Sequence, residues 1–194
     1  MKAPLGILLI AAAFSLAIFS GCSNDAAAPV STSSKGETPN FVKLPERVDK
    51  SLAKVVSATQ FMTAAQGGTL RLLSSYKAAP DSHLVNIEVT LEVRPGDLPY
   101  DASLTITLDD VLFLTNVDMT FGPHGIVFDH PVKLSAKASG LDGGTSFSNL
   151  KLYYIDNGVW VKMTGSNGIL TGGVLDAQGK LPHFSQYAFG RVDE

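Results

Sequence analysis

Cysteine is nearly absent: Cys22 is the only one in 194 residues, so no intrachain disulfide can brace the fold. Stability has to come from a packed core, and the 45% apolar content is enough for one compact domain plus a tail. Charge is also scarce, with 15 basic against 18 acidic side chains and a formal net charge of −3. No basic stripe emerges from that balance, which argues against nucleic acid as a partner. The four histidines, His83, His124, His130 and His183, never fall at His-x-x-x-His spacing, and there is no second cysteine, so no zinc pattern is present. Asp101 and the pair Asp109-Asp110 lack the Asp-x-Asp-x-Asp-Gly run of a calcium loop, and Ser33-Ser34-Lys35 is not preceded by a phosphate-loop glycine pattern. These histidines and carboxylates read as solvated groups at turns and strand ends, and no metal or cofactor is expected.

What is present begins with the leader. Lys2 supplies one positive charge, Leu5 to Phe19 is an almost unbroken apolar run, and the small residues Ser20-Gly21 precede Cys22. This resembles a bacterial lipoprotein signal, with Phe19 standing where an aliphatic residue is usual. The resemblance implies that residues 1–21 are removed and that Cys22, carrying fatty acyl groups such as palmitate, becomes the first residue of a membrane-anchored chain. An uncleaved anchor is the alternative, because Ala3 to Asn24 carries no charge and has about the 20 residues a spanning helix needs. Either reading places the rest of the chain outside the cytoplasm, in a bacterial cell envelope. Without Met1–Gly21 only Lys2 is lost, leaving 14 basic against 18 acidic side chains, a net −4.

Residues 22–43 are rich in Ser, Thr, Ala, Pro and Asn and cannot bury enough surface to offset their ordering entropy, so a flexible tether is expected. Residues 44–65 are ambiguous. Val48, Leu52, Val55, Val56 and Thr59 fit one face of a short helix, which Pro45 suits near its start, while Ala58 to Thr63 suits a strand. From Gly67-Gly68 onward, β signals recur. Strands are expected over Thr69–Tyr76, Leu84–Val93, Leu104–Leu108, Val111–Phe121, Val127–Ala138, Leu150–Ile155, Val159–Met163, Ile169–Leu175 and Phe184–Phe189. Asn157-Gly158 predicts a type I′ hairpin, and Pro131, unable to donate to a ladder, marks a strand start or an edge. Many short strands without a convincing helix between them predict an all-β antiparallel sandwich over residues 66–194.

Gly67-Gly68-Thr-Leu, Val93-Arg-Pro-Gly-Asp-Leu98 ahead of Leu104-Thr-Ile-Thr107, Gly122-Pro-His-Gly-Ile-Val-Phe-Asp-His-Pro-Val132 and His183-Phe-Ser-Gln-Tyr187 follow one another in the order of the ZU-five domain, which this stretch resembles. Asp97 departs from that pattern, which usually has an apolar or small residue there. The resemblance implies a β-sandwich with interaction or structural roles and no general enzymatic activity; an envelope protein or a glycan is the expected partner. In some such domains a His-Phe-Ser tripeptide cuts itself. Here Ser185 would attack the Phe184 carbonyl and His183 would take its proton. Set against that is a reading of Phe184, Tyr187 and Phe189 as core residues of the last strand. Tyr153, Tyr154 and Trp160 form a candidate binding face, although Tyr153 and Tyr154 must point to opposite sides of a strand. The expectation is a lipid-anchored binding or structural module. Self-cleavage at Phe184-Ser185 is the first alternative, and an envelope enzyme with an external substrate the second.

The lipid assignment has a direct test. Cys22→Ser should release the protein from membranes or leave an unprocessed precursor, because stable anchoring needs more than one acyl chain and all of them depend on this residue. Fractionation and apparent mass check it; an unchanged membrane fraction at unchanged mass would refute it.

Overall fold

The structure, a computed structural model, describes residues 39–49, 55–108, 118–144 and 146–191. The leader, Cys22, most of the expected tether, and Asp109-Asp110 lie outside the described residues. Twelve strands follow in order: β1 (Asn40–Phe41), β2 (Val56–Met62), β3 (Gly68–Lys77), β4 (Leu84–Val93), β5 (Ala102–Leu108), β6 (Asp118–Gly122), β7 (Val127–Ser139), β8 (Phe147–Asp156), β9 (Val159–Lys162), β10 (Asn167–Thr171), β11 (Val174–His183) and β12 (Gln186–Arg191).

All pairings between strands are antiparallel, and the order around the sheet is β2-β5-β6-β12-β8-β10-β11-β7-β4-β3, with β1 added to β12 and β9 to β8. The two end strands, β2 and β3, meet through a bridge between Thr63 and Gly67, so the sheet nearly closes into a barrel. Alternation is what directs the chain inward. In β4, Val85, Ile87, Val89, Leu91 and Val93 are buried; in β7, Val132, Leu134, Ala136 and Ala138 are; in β5, Leu104 and Ile106 are. These faces converge on one cluster that also holds Phe121, Tyr187 and Phe189, each fully buried. Each such side chain removed from water contributes about 1.5–3 kcal/mol before entropy is charged against it.

Several expectations are met and others are corrected. The Asn157-Gly158 turn has both residues at positive φ, 49° and 80°, as type I′ requires, and joins β8 to β9. The run Ile169–Leu175 is not one strand. Gly172 and Gly173 both take positive φ and turn β10 back into β11, a ten-residue strand whose polar centre hid it. Pro131 lies inside β7, a strand with neighbours on both sides. It is tolerated because β4 pairs only as far as Lys133, and because the ladder to β11 is irregular between Leu181 and His183. No helix occurs among the described residues: 42–46 form no regular element and Arg47 makes an isolated bridge to Ala78. The tether also ends sooner than expected, since Asn40 and Phe41 pair with Arg191 and Gly190 and Val42 is fully buried.

The loop after β4 ties three parts of the barrel together. Pro95 and Gly96, the latter at φ 81°, form a type II turn closed by Asp97 N donating to Arg94 O at 3.1 Å. Asp97 is 3% exposed; its Oδ2 accepts from Arg94 N at 2.8 Å and lies 3.5 Å from Arg94 Nε. Its carbonyl accepts from Asp129 N at 2.9 Å, and Gly96 N donates to Ala64 O at 2.8 Å. The Asp97 carboxylate is thus the internal brace of this turn. Asp97→Ala should destabilise the domain by about 1–3 kcal/mol, the usual cost of stranding a buried donor, and chemical denaturation measures it. An unchanged midpoint would show that the turn holds without its brace.

Candidate functional site

The His183-Phe184-Ser185 tripeptide is not on the closing strand. His183 ends β11, β12 begins at Gln186, and Phe184-Ser185 is the corner by which the chain crosses from the β7 side of the barrel to the β6 side. Phe184 is buried, edge-on to Phe128 at 4.9 Å and stacked on Phe121 at 5.7 Å. Its N donates to Ile126 O at 2.9 Å, and Phe121 N donates to Ser185 O at 3.1 Å. The Ser185 hydroxyl donates to Ile155 O at 3.1 Å, so its proton is engaged away from His183. His183 instead faces Tyr187, whose hydroxyl donates to His183 O at 2.6 Å and lies 3.4 Å from its Nδ1. Burial pushes the Tyr187 phenol well above its ordinary pKa, which keeps it a neutral donor. No positive φ and no cis peptide falls at His183–Ser185.

The three aromatic residues part company. Tyr154 leans toward the core side, 5.0 Å from the His183 ring and 6.1 Å from Tyr187. Tyr153 and Trp160 share the outer side with Ala188, and there Phe41 covers them, 5.9 Å and 4.7 Å away between ring centroids. The small residue Gly190 makes this possible, since a Cβ at that position would lie 2.8 Å from Phe41 Cδ1. The aromatic face is therefore occupied by the chain's own N-terminal segment.

A different surface is open. Across β3, β4, β7 and β11 the register sets Arg71, Thr90, Ser135 and Gln178 in one row, and Leu73, Glu88, Lys137 and Asp176 in the next. Ser75, Asn86 and Ser139 follow in a third. Between the last two rows opens a hollow of about 490 Å³, with Leu73 and Val174 exposed on its walls. Its charges answer one another: Arg71 Nε lies 2.8 Å from Glu88 Oε1, and this contact, with Lys137 nearby, holds the Glu88 carboxyl below its ordinary range. Asn86 Nδ2 reaches Ser139 Oγ at 3.5 Å. Sequence reading missed this site. The polar half of each alternation was visible, but only the register shows that Asn86, Ser139 and Ser75 are neighbours.

The remaining candidates are dispersed. His83 is held by Asp81 and Gly140, His130 Nδ1 lies 3.3 Å from Gly96 O, and Asp101 accepts from Ala64 N at 2.8 Å. Among the described residues no three His, Cys, Asp or Glu side chains gather where they could hold a metal ion. Comparison with protein-family models, curated proteins and solved structures returned no match.

The corner can be tested by mass. Ser185→Ala should leave the purified protein a single intact chain, lighter only by one oxygen atom, and cost about 1 kcal/mol for one lost hydrogen bond, whereas Phe184→Ala should cost about 3–5 kcal/mol. A ten-residue fragment, Ser185 to Glu194, in wild type and missing from Ser185→Ala would establish self-cleavage instead.

Proposed function

We propose that this chain is a lipid-anchored module of the bacterial cell envelope with a ZU-five-like sandwich, acting by binding at the hollow on the outer face of β3, β4, β7 and β11. The sandwich reading is supported by β8, whose Phe147 and Leu150 pair with β10 while Lys151–Tyr154 pair with β12, so that one strand serves two opposed halves. The four sequence pieces that resemble the ZU-five domain fall at the start of β3, the turn after β4, the turn into β7 and the corner before β12. The anchor rests on Ser20-Gly21-Cys22 and the apolar run before it.

The observation that carries the binding reading is the hollow itself, open on a face that none of the described residues covers. The hollow's own charges are Glu88, Lys137 and Asp176, and Arg71, in the next row and bonded to Glu88, brings the set to zero. A surface neutral in this way has no excess charge with which to hold nucleic acid or a phosphate-rich polymer. It offers hydroxyl and amide groups beside aliphatic walls, the combination that suits an uncharged, hydroxyl-bearing chain, and a glycan strand is the occupant we assign. An envelope enzyme with an external substrate is the less supported reading, because the one candidate nucleophile, Ser185, has its hydroxyl bonded to Ile155 O.

The test is co-sedimentation of the detergent-solubilised protein with insoluble cell-wall glycan. Retention should fall at least tenfold in Ser139→Tyr, which fills the hollow, with the thermal midpoint unchanged. Equal retention of the variant sinks the site, and capture that survives digestion of the glycan would assign a protein partner instead.

A further inference from the structure

Both ring nitrogens of His83 face oxygen acceptors on different parts of the barrel. Nδ1 lies 2.5 Å from Asp81 Oδ1 within the β3–β4 loop, and Nε2 lies 2.9 Å from Gly140 O, just beyond the end of β7. A neutral imidazole carries one N–H, so only the doubly protonated ring can donate to both. We propose that His83 is a protonation-driven latch that pins the β3–β4 loop to the end of β7 and opens when the ring loses one proton.

Which bond is lost follows from the acceptors. The Asp81 carboxylate is the stronger of the two, so the neutral ring keeps its proton on Nδ1. The bare Nε2 lone pair then faces the Gly140 carbonyl, acceptor against acceptor, and the contact becomes repulsive. The charged surroundings are few. Asp81 is the charge in contact with the ring among the described residues, and together with Gly140 O it raises the His83 pKa above its ordinary value. Asp142, two residues past Gly140, turns its carboxylate onto Gly144 N at 3.0 Å. Glu46, from the N-terminal segment, meets this loop through its carbonyl, which accepts from Ala79 N at 2.7 Å.

The position gives the latch something to control. Gly140 takes φ 76° and passes so close to β4 that an added Cβ would meet Leu84 O. Its neighbour Ser139, and Asn86 two residues past Leu84, line the same end of the hollow. Protonation of His83 thus holds together the strand ends that shape one rim of the candidate site. The effect on ligand rests on the binding reading above; the latch itself does not.

Because the folded chain holds this proton more tightly than the unfolded one, the stabilisation is fully present below about pH 6.5 and is lost as pH rises through the higher folded midpoint. The experiment is an NMR titration of the His83 ring in the detergent-solubilised protein, without ligand, alongside amide exchange of Gly140 and Leu141. The expected result is a midpoint above 6.5 that falls toward it in Asp81→Asn, with protection of these amides, corrected for base catalysis, lost across the same pH range. His83→Gln should show no such transition. A wild-type midpoint at or below 6.5, or the same loss of protection in His83→Gln, would overturn the proposal. Neither measurement involves glycan, so a failed co-sedimentation would leave this result standing.

Discussion

The joint between β11 and β12 is the contact on which the rest of the barrel depends. β12 lies between β6 and β8 and also receives β1, so three strands lose a neighbour if it is misplaced. It can reach that position only if the chain leaves β11 at His183 and crosses the core within two residues. The crossing is fixed from four directions: Phe184 N on Ile126 O, Ser185 O on Phe121 N, Ser185 Oγ on Ile155 O and Tyr187 Oη on His183 O. Three aromatic rings, Phe121, Phe128 and Phe184, close the space beneath. Within a buried corner each of these polar groups must find a partner, because an unsatisfied one costs about as much as the bond it would make. That requirement accounts for the Ser185 and Tyr187 hydroxyls at this corner, each of which donates to a backbone carbonyl.

Seen from the sequence, such a cluster is easily taken for a reactive one, and this marks the boundary of what was legible. Period-2 alternation located β3, β4, β5 and β7 to within a residue or two, because each has one face in the core and one in water. It failed where that contrast fades. β11 carries Asp176, Gln178 and Lys180 outward between small or glycine positions, Ala177 and Gly179, and no apolar run announces it. Residues 44–49 include Val48, the first position of the expected helical face, yet they cross to the end of β3, where Arg47 bridges Ala78 and covers the Tyr76 ring. Tertiary contact, which no local pattern records, decided their conformation.

Functional legibility was poorer for the same reason. Lone residue types such as Trp160 or His183 drew the eye, but the open site is built from serines, an asparagine and self-neutralised charges whose meaning lies entirely in cross-strand register. The two outer faces of the barrel differ in kind. One carries exposed aromatic surface that the chain has covered with its own Phe41. The other is polar and hollow, and none of the described residues covers it.

The covering of the aromatic face has a mechanical side. β1 is only two residues long, yet it is the first part of the barrel met by any force that travels along the polypeptide from its amino-terminal side. Such a force would act first on the Phe41 ring, lodged against Tyr153 and Trp160, and on the short ladder to Gly190 and Arg191, before it reached β2 and the core. The next residue, Val42, is fully buried in the main core and its N donates to Phe189 O at 2.9 Å, so a pull on the rim is passed through one residue to the strand at the centre of the barrel.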